Sequence, residues 1–196
     1  MIAVRFPELE IIATEVDTIQ HEKNLLIGDL SNVTFQYGGA EKIDLADASI
    51  NFVIMLKSLH HVPMELIGQS LCEIKRVLVP GGLAYLSEPV YDGDFNGIMK
   101  LFHDERIVRN AAFASVSDAV RASQFELVEQ IFFDSLMTFQ GFEEFESRIL
   151  GATHSTFQID ERMHAKIKAA YLPFVNSHGV AEFRTPIRVD LLRRPS

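Results

Sequence analysis

The sequence predicts a three-layer α/β domain built on a mostly parallel sheet, and three observations carry that expectation. Short β-rich runs alternate with segments of helical periodicity from the start of the chain to Pro89. Ile50–Leu56 (INFVIML) is a continuous apolar run, the pattern of a strand covered on both faces. Pro80-Gly81-Gly82 then stops a helical pattern directly before another apolar run.

In chain order, Ile2, Val4 and Phe6 read as the end of a helix interrupted by Pro7. Glu10–Val16 is a β-rich run closed by acidic residues. Thr18–Gly28 carries helix formers, with Ile19, Leu25 and Leu26 as apolar positions and Gly28 as the stop. Asn32–Tyr37 alternates Val33 and Phe35 with polar neighbours, a strand broken by Gly38-Gly39. After the strand Ile50–Leu56, Met64–Val79 spaces Leu66, Ile67, Leu71, Ile74, Val77 and Leu78 as a helix does, and Leu83–Ser87 is the next strand. Beyond Pro89 the stretches 94–124 and 140–175 read as helices separated by a strand at Glu126–Phe133. Arg184–Arg193 reads as an antiparallel last strand closing the sheet at its edge, with Pro186 near its start.

One domain over residues 1–196 is expected, with its sheet core in 1–90, 125–135 and 180–194 and a helical cover in 91–124 and 140–175. The composition is that of a globular protein, 47% hydrophobic and 23% charged. A net charge of −9 argues against a surface that tracks nucleic-acid phosphates. No apolar run has the length of a membrane span, and the first residues lack the pattern of a secretory signal. The single cysteine, Cys72, suits a cytoplasmic setting and reads as a small buried apolar residue. A homodimer is compatible with this reading.

Two stretches carry more than periodicity. Ile43–His61 runs from an acidic turn through an apolar strand to a histidine pair. Leu71–Pro89 (LCEIKRVLVPGGLAYLSEP) contains Arg76, Val77, Leu78, Pro80, Gly81 and Gly82 in the order Arg-Val-Leu-x-Pro-Gly-Gly. Together they resemble the class I S-adenosylmethionine-dependent methyltransferases, in particular the type 11 methyltransferase domain. The resemblance implies a Rossmann-like fold, S-adenosylmethionine as cofactor and a small-molecule substrate methylated on oxygen, nitrogen or carbon.

It also implies a set of positions. Glu15 falls where an acid ending the second strand holds the ribose hydroxyls, with Val16 beside it and Asp17 as the nearby alternative. Gly39, Ala40 and Glu41 border the adenine; the family usually has Asp where Gly39 stands, and Ala40 offers a backbone N–H. Leu56 to His61 line the reaction pocket. His61 reads there either as a general base, because an imidazole titrates near neutral pH, or as a histidine that caps or packs against the following helix. Glu88, just past the fifth strand, orients a substrate proton or stands as a solvated strand end. No metal is expected: adjacent histidines on extended backbone point apart, and no ligand cluster accompanies them. His103 and Asp104 read as substrate contacts in a lid helix, and the phenylalanines of the cover as core or cavity lining. Arg193-Arg194 reads as a solvated strand end.

One departure is large. The family's first strand and Gly-rich loop have no counterpart, since the first glycine is Gly28 and no Gly-x-Gly occurs. In the family that strand lies between the second and fourth, so its absence opens the middle of the sheet. Three arrangements would answer this: a longer functional polypeptide, direct pairing of the flanking strands in a non-catalytic binding or regulatory protein, or a strand donated by a partner.

Overall fold

The computed structural model describes residues 2–151 and 157–196. The first part of the chain forms α1 (Ile2–Arg5), β1 (Ile11–Glu15), α2 (Thr18–Leu25) and β2 (Val33–Tyr37). Asp17 caps α2, its Oδ1 accepting from the backbone N–H of Ile19 at 2.9 Å, which satisfies one of the donors a helix start leaves open. β3 (Ile50–Leu56) leads through two 3-10 turns, Leu59–His61 and Met64–Leu66, into α3 (Ile67–Val77). α3 buries Ile67, Ser70, Leu71, Ile74 and Val77, one stripe at helical spacing, against the sheet.

β4 (Leu78–Pro89) starts directly where α3 ends. Pro80-Gly81-Gly82 therefore does not precede the strand but bulges within it, and the register with β3 jumps from Ile50↔Leu78 to Phe52↔Leu83. Gly81, at φ 78°, takes the left-handed conformation that this bulge requires. α4 (Asp94–Met99) and α5 (Arg106–Arg121) follow, then β5 (Glu126–Phe139), α6 (Phe142–Phe145), a π-helical turn (Glu146–Leu150), α7 (Glu161–Tyr171), a 3-10 turn (Leu172–Phe174) and β6 (Ala181–Arg193). The expected cover at 140–175 includes 152–156, which lie outside the described residues.

The strands make two sheets. β1 and β2 pair in parallel, and β3-β4-β6-β5 form the other sheet. Within the second, β3 and β4 are parallel, while β6 is antiparallel to both its neighbours. The fold is the expected α/β one with an antiparallel last strand, but that strand is not at the edge. β6 lies between β4 and β5, and pairing with β4 begins only at Ile187, just past Pro186. Direct pairing of the strands flanking the missing one does not occur: among the described residues no ladder joins β1 to β3.

The core explains this asymmetry. One buried cluster joins α3, β4 and α5 through Leu71, Ile74, Leu86, Val116 and Phe125. A second joins α4, β5, α6, α7 and β6 around Phe139, Phe145, Tyr171 and Phe183. From Ile2 to Ser58, by contrast, Ala3 is the one buried residue. Phe52, Ile54 and Leu56 on β3 are exposed, so this run is not covered on both faces. Cys72 is likewise exposed, on the outer side of α3. Arg194 is held rather than solvated, donating to the carbonyls of Arg76 and Leu78. Among the described residues no helix is long and apolar enough to cross a membrane.

Candidate active site

The site is assembled where β3 and β4 end, the side on which open α/β sheets take ligands. After Leu56 the chain turns sharply: Lys57 adopts φ 55°, rare for a residue with a side chain, and its N–H donates to the Ser87 carbonyl at 2.6 Å. This turn aims the next two N–H groups at Glu88. Its Oε1 accepts from Ser58 at 3.0 Å and from Leu59 at 2.8 Å, and its Oε2 accepts from His60 Nδ1. Glu88 is only 5% exposed, so it is not a solvated strand end but a strut that fixes the His60 ring.

His60 and His61 share one 3-10 turn, and their ring centroids lie 4.1 Å apart. The expectation that they point apart fails because the backbone is helical there, not extended. His60 is buried and His61 exposed.

A second carboxylate closes the site from the far side. Glu105, immediately before α5, is buried beside Arg109, whose Nε and Nη2 donate to Glu105 Oε2 at 3.0 and 2.5 Å. Its Oε1 lies 3.1 Å from His103 Nε2 and 3.8 Å from His60 Nε2. Burial pushes the Glu105 carboxyl up, but Arg109, His60 and His103 outweigh it and hold the pKa below the ordinary value. A cavity of about 170 Å³ opens here, with Lys57, His60, His61, His103, Glu105 and Arg109 among its polar lining and Phe95, Met99, Met137 and Phe157 among its apolar walls. His103 and Asp104 sit in the link before α5 rather than in a helix, and His103 faces the cavity while Asp104 does not.

The remaining sequence-predicted positions lie elsewhere. Glu15 ends β1, and its Oε1 accepts from the N–H groups of Val16 and Asp17 at 2.8 and 2.9 Å. Gly39, Ala40 and Glu41 form the loop after β2, which Gln69 of α3 holds by donating to the Glu41 carbonyl at 2.8 Å. The Glu41 carboxylate folds back over Gly39, into the space a side chain there would occupy. Leu56 ends β3 and is 60% exposed. None of these six lines the cavity, whereas His61 does and Glu88 reaches it through His60. Sequence reasoning placed His60 only within the stretch Leu56 to His61 along the pocket and passed over Glu105 and Arg109. The readable signal was the Glu105/Arg109 pair at i, i+4, next to the His103-Asp104 already singled out.

Residues 7–86 match the family described as methyltransferase domain. Over that stretch the sequence is similar to methyltransferases. The fold agrees over nearly the whole chain. A Bacillus halodurans C-125 protein assigned provisionally to the methyltransferases superposes with a TM-score of 0.65 at 18% identity, covering 99% of this chain and 87% of that one. The YcgJ protein of Bacillus subtilis gives 0.64 at 18%, with 99% and 87% covered. A Haemonchus contortus phosphoethanolamine N-methyltransferase, solved with phosphomonomethylethanolamine and S-adenosylhomocysteine, gives 0.53 at 12%, covering 100% of this chain and 45% of that one. In a methyltransferase the protein's task is to position the two reactants and exclude water.

Proposed function

We propose that this protein is an S-adenosylmethionine-dependent methyltransferase that methylates an oxygen, nitrogen or carbon of a small molecule held in the cavity beside His61. The observation that supports it is the histidine pair, locked by Glu88 at the strand ends and facing a cavity of about 170 Å³. That volume lies below the roughly 300–1,000 Å³ of most ligand sites and suits an acceptor of few atoms.

S-adenosylmethionine, when bound, supplies an electrophilic methyl group. The residues present fit it: Glu15 Oε2 makes no hydrogen bond among the described residues, so one oxygen remains for ribose hydroxyls. Glu41 places a carboxylate over Gly39, where the adenine amino group needs an acceptor. Ala40 offers its N–H, and Val16 and Leu56 supply apolar contact. His61 takes the acceptor's proton, Glu88 orients its neighbour, and the aromatic walls exclude water.

The open edges of β1 and β3 support a further part of the proposal. A parallel strand entering between them, from the same polypeptide or from a partner, completes the cofactor side. The protein works in the cytoplasm on a small molecule rather than on nucleic acid, as its net charge of −9 suggests. A homodimer is part of this reading. The split sheet also favours one alternative, a non-catalytic protein of the same family that binds a ligand without transferring methyl.

The test is release of S-adenosylhomocysteine across a panel of small hydroxyl, amine and carbon acceptors. His61→Ala should lower the turnover of an accepted substrate by about 10²-fold or more. Turnover unaffected by His61→Ala removes the proposed base. Saturable S-adenosylmethionine binding with no turnover of any acceptor favours the non-catalytic alternative.

A further inference from the structure

We propose that His60, His61 and Glu105 bind one divalent first-row transition ion of zinc-like preference. Each offers a ligand atom, and the three atoms lie within 4.8 Å of one another. A tetrahedral ion with bonds of about 2.1 Å needs ligand atoms about 3.4 Å apart, so small side-chain movements close the site. His60 Nε2 and Glu105 Oε1 already stand 3.8 Å apart.

The surroundings are those of a ligand set held from outside. Glu88 Oε2 pairs with His60 Nδ1 and leaves Nε2 turned toward Glu105, the carboxylate-behind-imidazole arrangement usual at metal-binding histidines. Arg109 grips Glu105 Oε2 and leaves Oε1 turned inward. His60 Nε2 and Glu105 Oε1 thus face each other across 3.8 Å between side chains that are 97% and 93% buried, a gap that an ion bound to both would close. His103 Nε2, 3.1 Å from Glu105 Oε1, is the nearest further donor.

Two imidazole nitrogens and one carboxylate oxygen are a borderline donor set. It suits zinc, cobalt or nickel and does not suit magnesium or calcium, which take oxygen. Because His61 is exposed on the cavity, the ion keeps positions open on the side where an acceptor sits. Its use there rests on the methyl-transfer reading: an acceptor hydroxyl bound to the ion would lose its proton more readily, to bulk water on the exposed His61 side, so that with the ion bound the ion takes over the activation otherwise proposed for His61.

The test titrates cobalt(II) into the untagged full chain after chelator treatment and follows its visible absorption, with S-adenosylhomocysteine binding measured on the same samples. One equivalent should bind with a band typical of nitrogen and oxygen ligation, zinc should displace it, and millimolar magnesium should not. His61→Ala, which changes an exposed side chain, and Glu105→Gln should each weaken binding by about 100-fold or more. Glu88→Gln, acting through His60, should weaken it by about 10- to 100-fold. His164→Ala, at the surface pair with Glu146, should change nothing. No saturable cobalt binding, or binding unaltered by both His61→Ala and Glu105→Gln, overturns the proposal. Cobalt binding without S-adenosylhomocysteine binding would remove the methyl-transfer reading and leave the ion site standing.

Discussion

At the residue scale the site depends on Glu88, which satisfies three donors across a separation of about thirty residues. Glu88→Ala leaves the N–H groups of Ser58 and Leu59 and the His60 ring without their acceptor. Each buried donor left unpaired costs about 1–3 kcal/mol. The variant should lose at least that much stability in a urea titration, and Glu88→Gln should lose less. Glu73 makes a second prediction. Hydrogen bonds from Arg76, then from the Ile43 N–H, hold its pKa down from 4.5 to about 2 against a smaller opposing effect of burial. A depressed carboxyl stabilises the fold above its ordinary pKa and stops doing so as pH falls through the folded one. Urea midpoints should therefore drop between about pH 5 and about pH 2, and Glu73→Gln should flatten that drop. At this scale the strand ends were legible. His61 and Glu88 stand at strand ends, where ligands gather, and simple alternation finds strand ends. What Glu88 does there was not legible, because its partners come from another strand's end. Glu105 was hidden for the same reason: its burial is created by packing, not by its neighbours in sequence.

At the element scale the local patterns mostly match the structure, and the mismatches share a cause. Ile50–Leu56 is a strand with the expected ends, yet half its side chains are exposed. A continuous apolar run reports that cover is wanted, not that it is present. The Pro-Gly-Gly stretch reads locally as a turn, but pairing with β3 on both sides of it makes it a bulge. β5 runs on to Phe139 because β6 pairs with it along its whole length, which no local signal announces. Two outcomes follow from the packing. Phe145→Ala, at the centre of the second cluster, should cost about 3–5 kcal/mol in denaturant unfolding. Amides of β1 and β2, in a sheet with no buried side chain of its own, should exchange with deuterium well before those of β4 and β6.

At the scale of the whole molecule, the parallel units and the antiparallel last strand were legible from strand and helix order. The central place of β6 was not, since insertion between β4 and β5 leaves no trace in local sequence. The break in the sheet was foreseen from the missing Gly-rich segment, and its form, two sheets rather than one closed sheet, is the structure's contribution. Both flanks of the break carry exposed apolar side chains, Val16 and Leu26 on one and Phe52 and Leu56 on the other. Surfaces of that kind seek cover. Sedimentation should detect self-association that weakens with Phe52→Lys, and a concentration-independent monomer would remove the homodimer from the account.

Calorimetric titration of the full chain with S-adenosylhomocysteine tests most directly whether Glu15, Gly39, Ala40, Glu41 and Leu56 hold the proposed cofactor. The expected result is saturable micromolar binding that Glu15→Ala weakens by at least about 10-fold, the loss of roughly one charge-assisted hydrogen bond. A chain that melts cooperatively and shows no binding, or binds equally well without the Glu15 carboxylate, would contradict it.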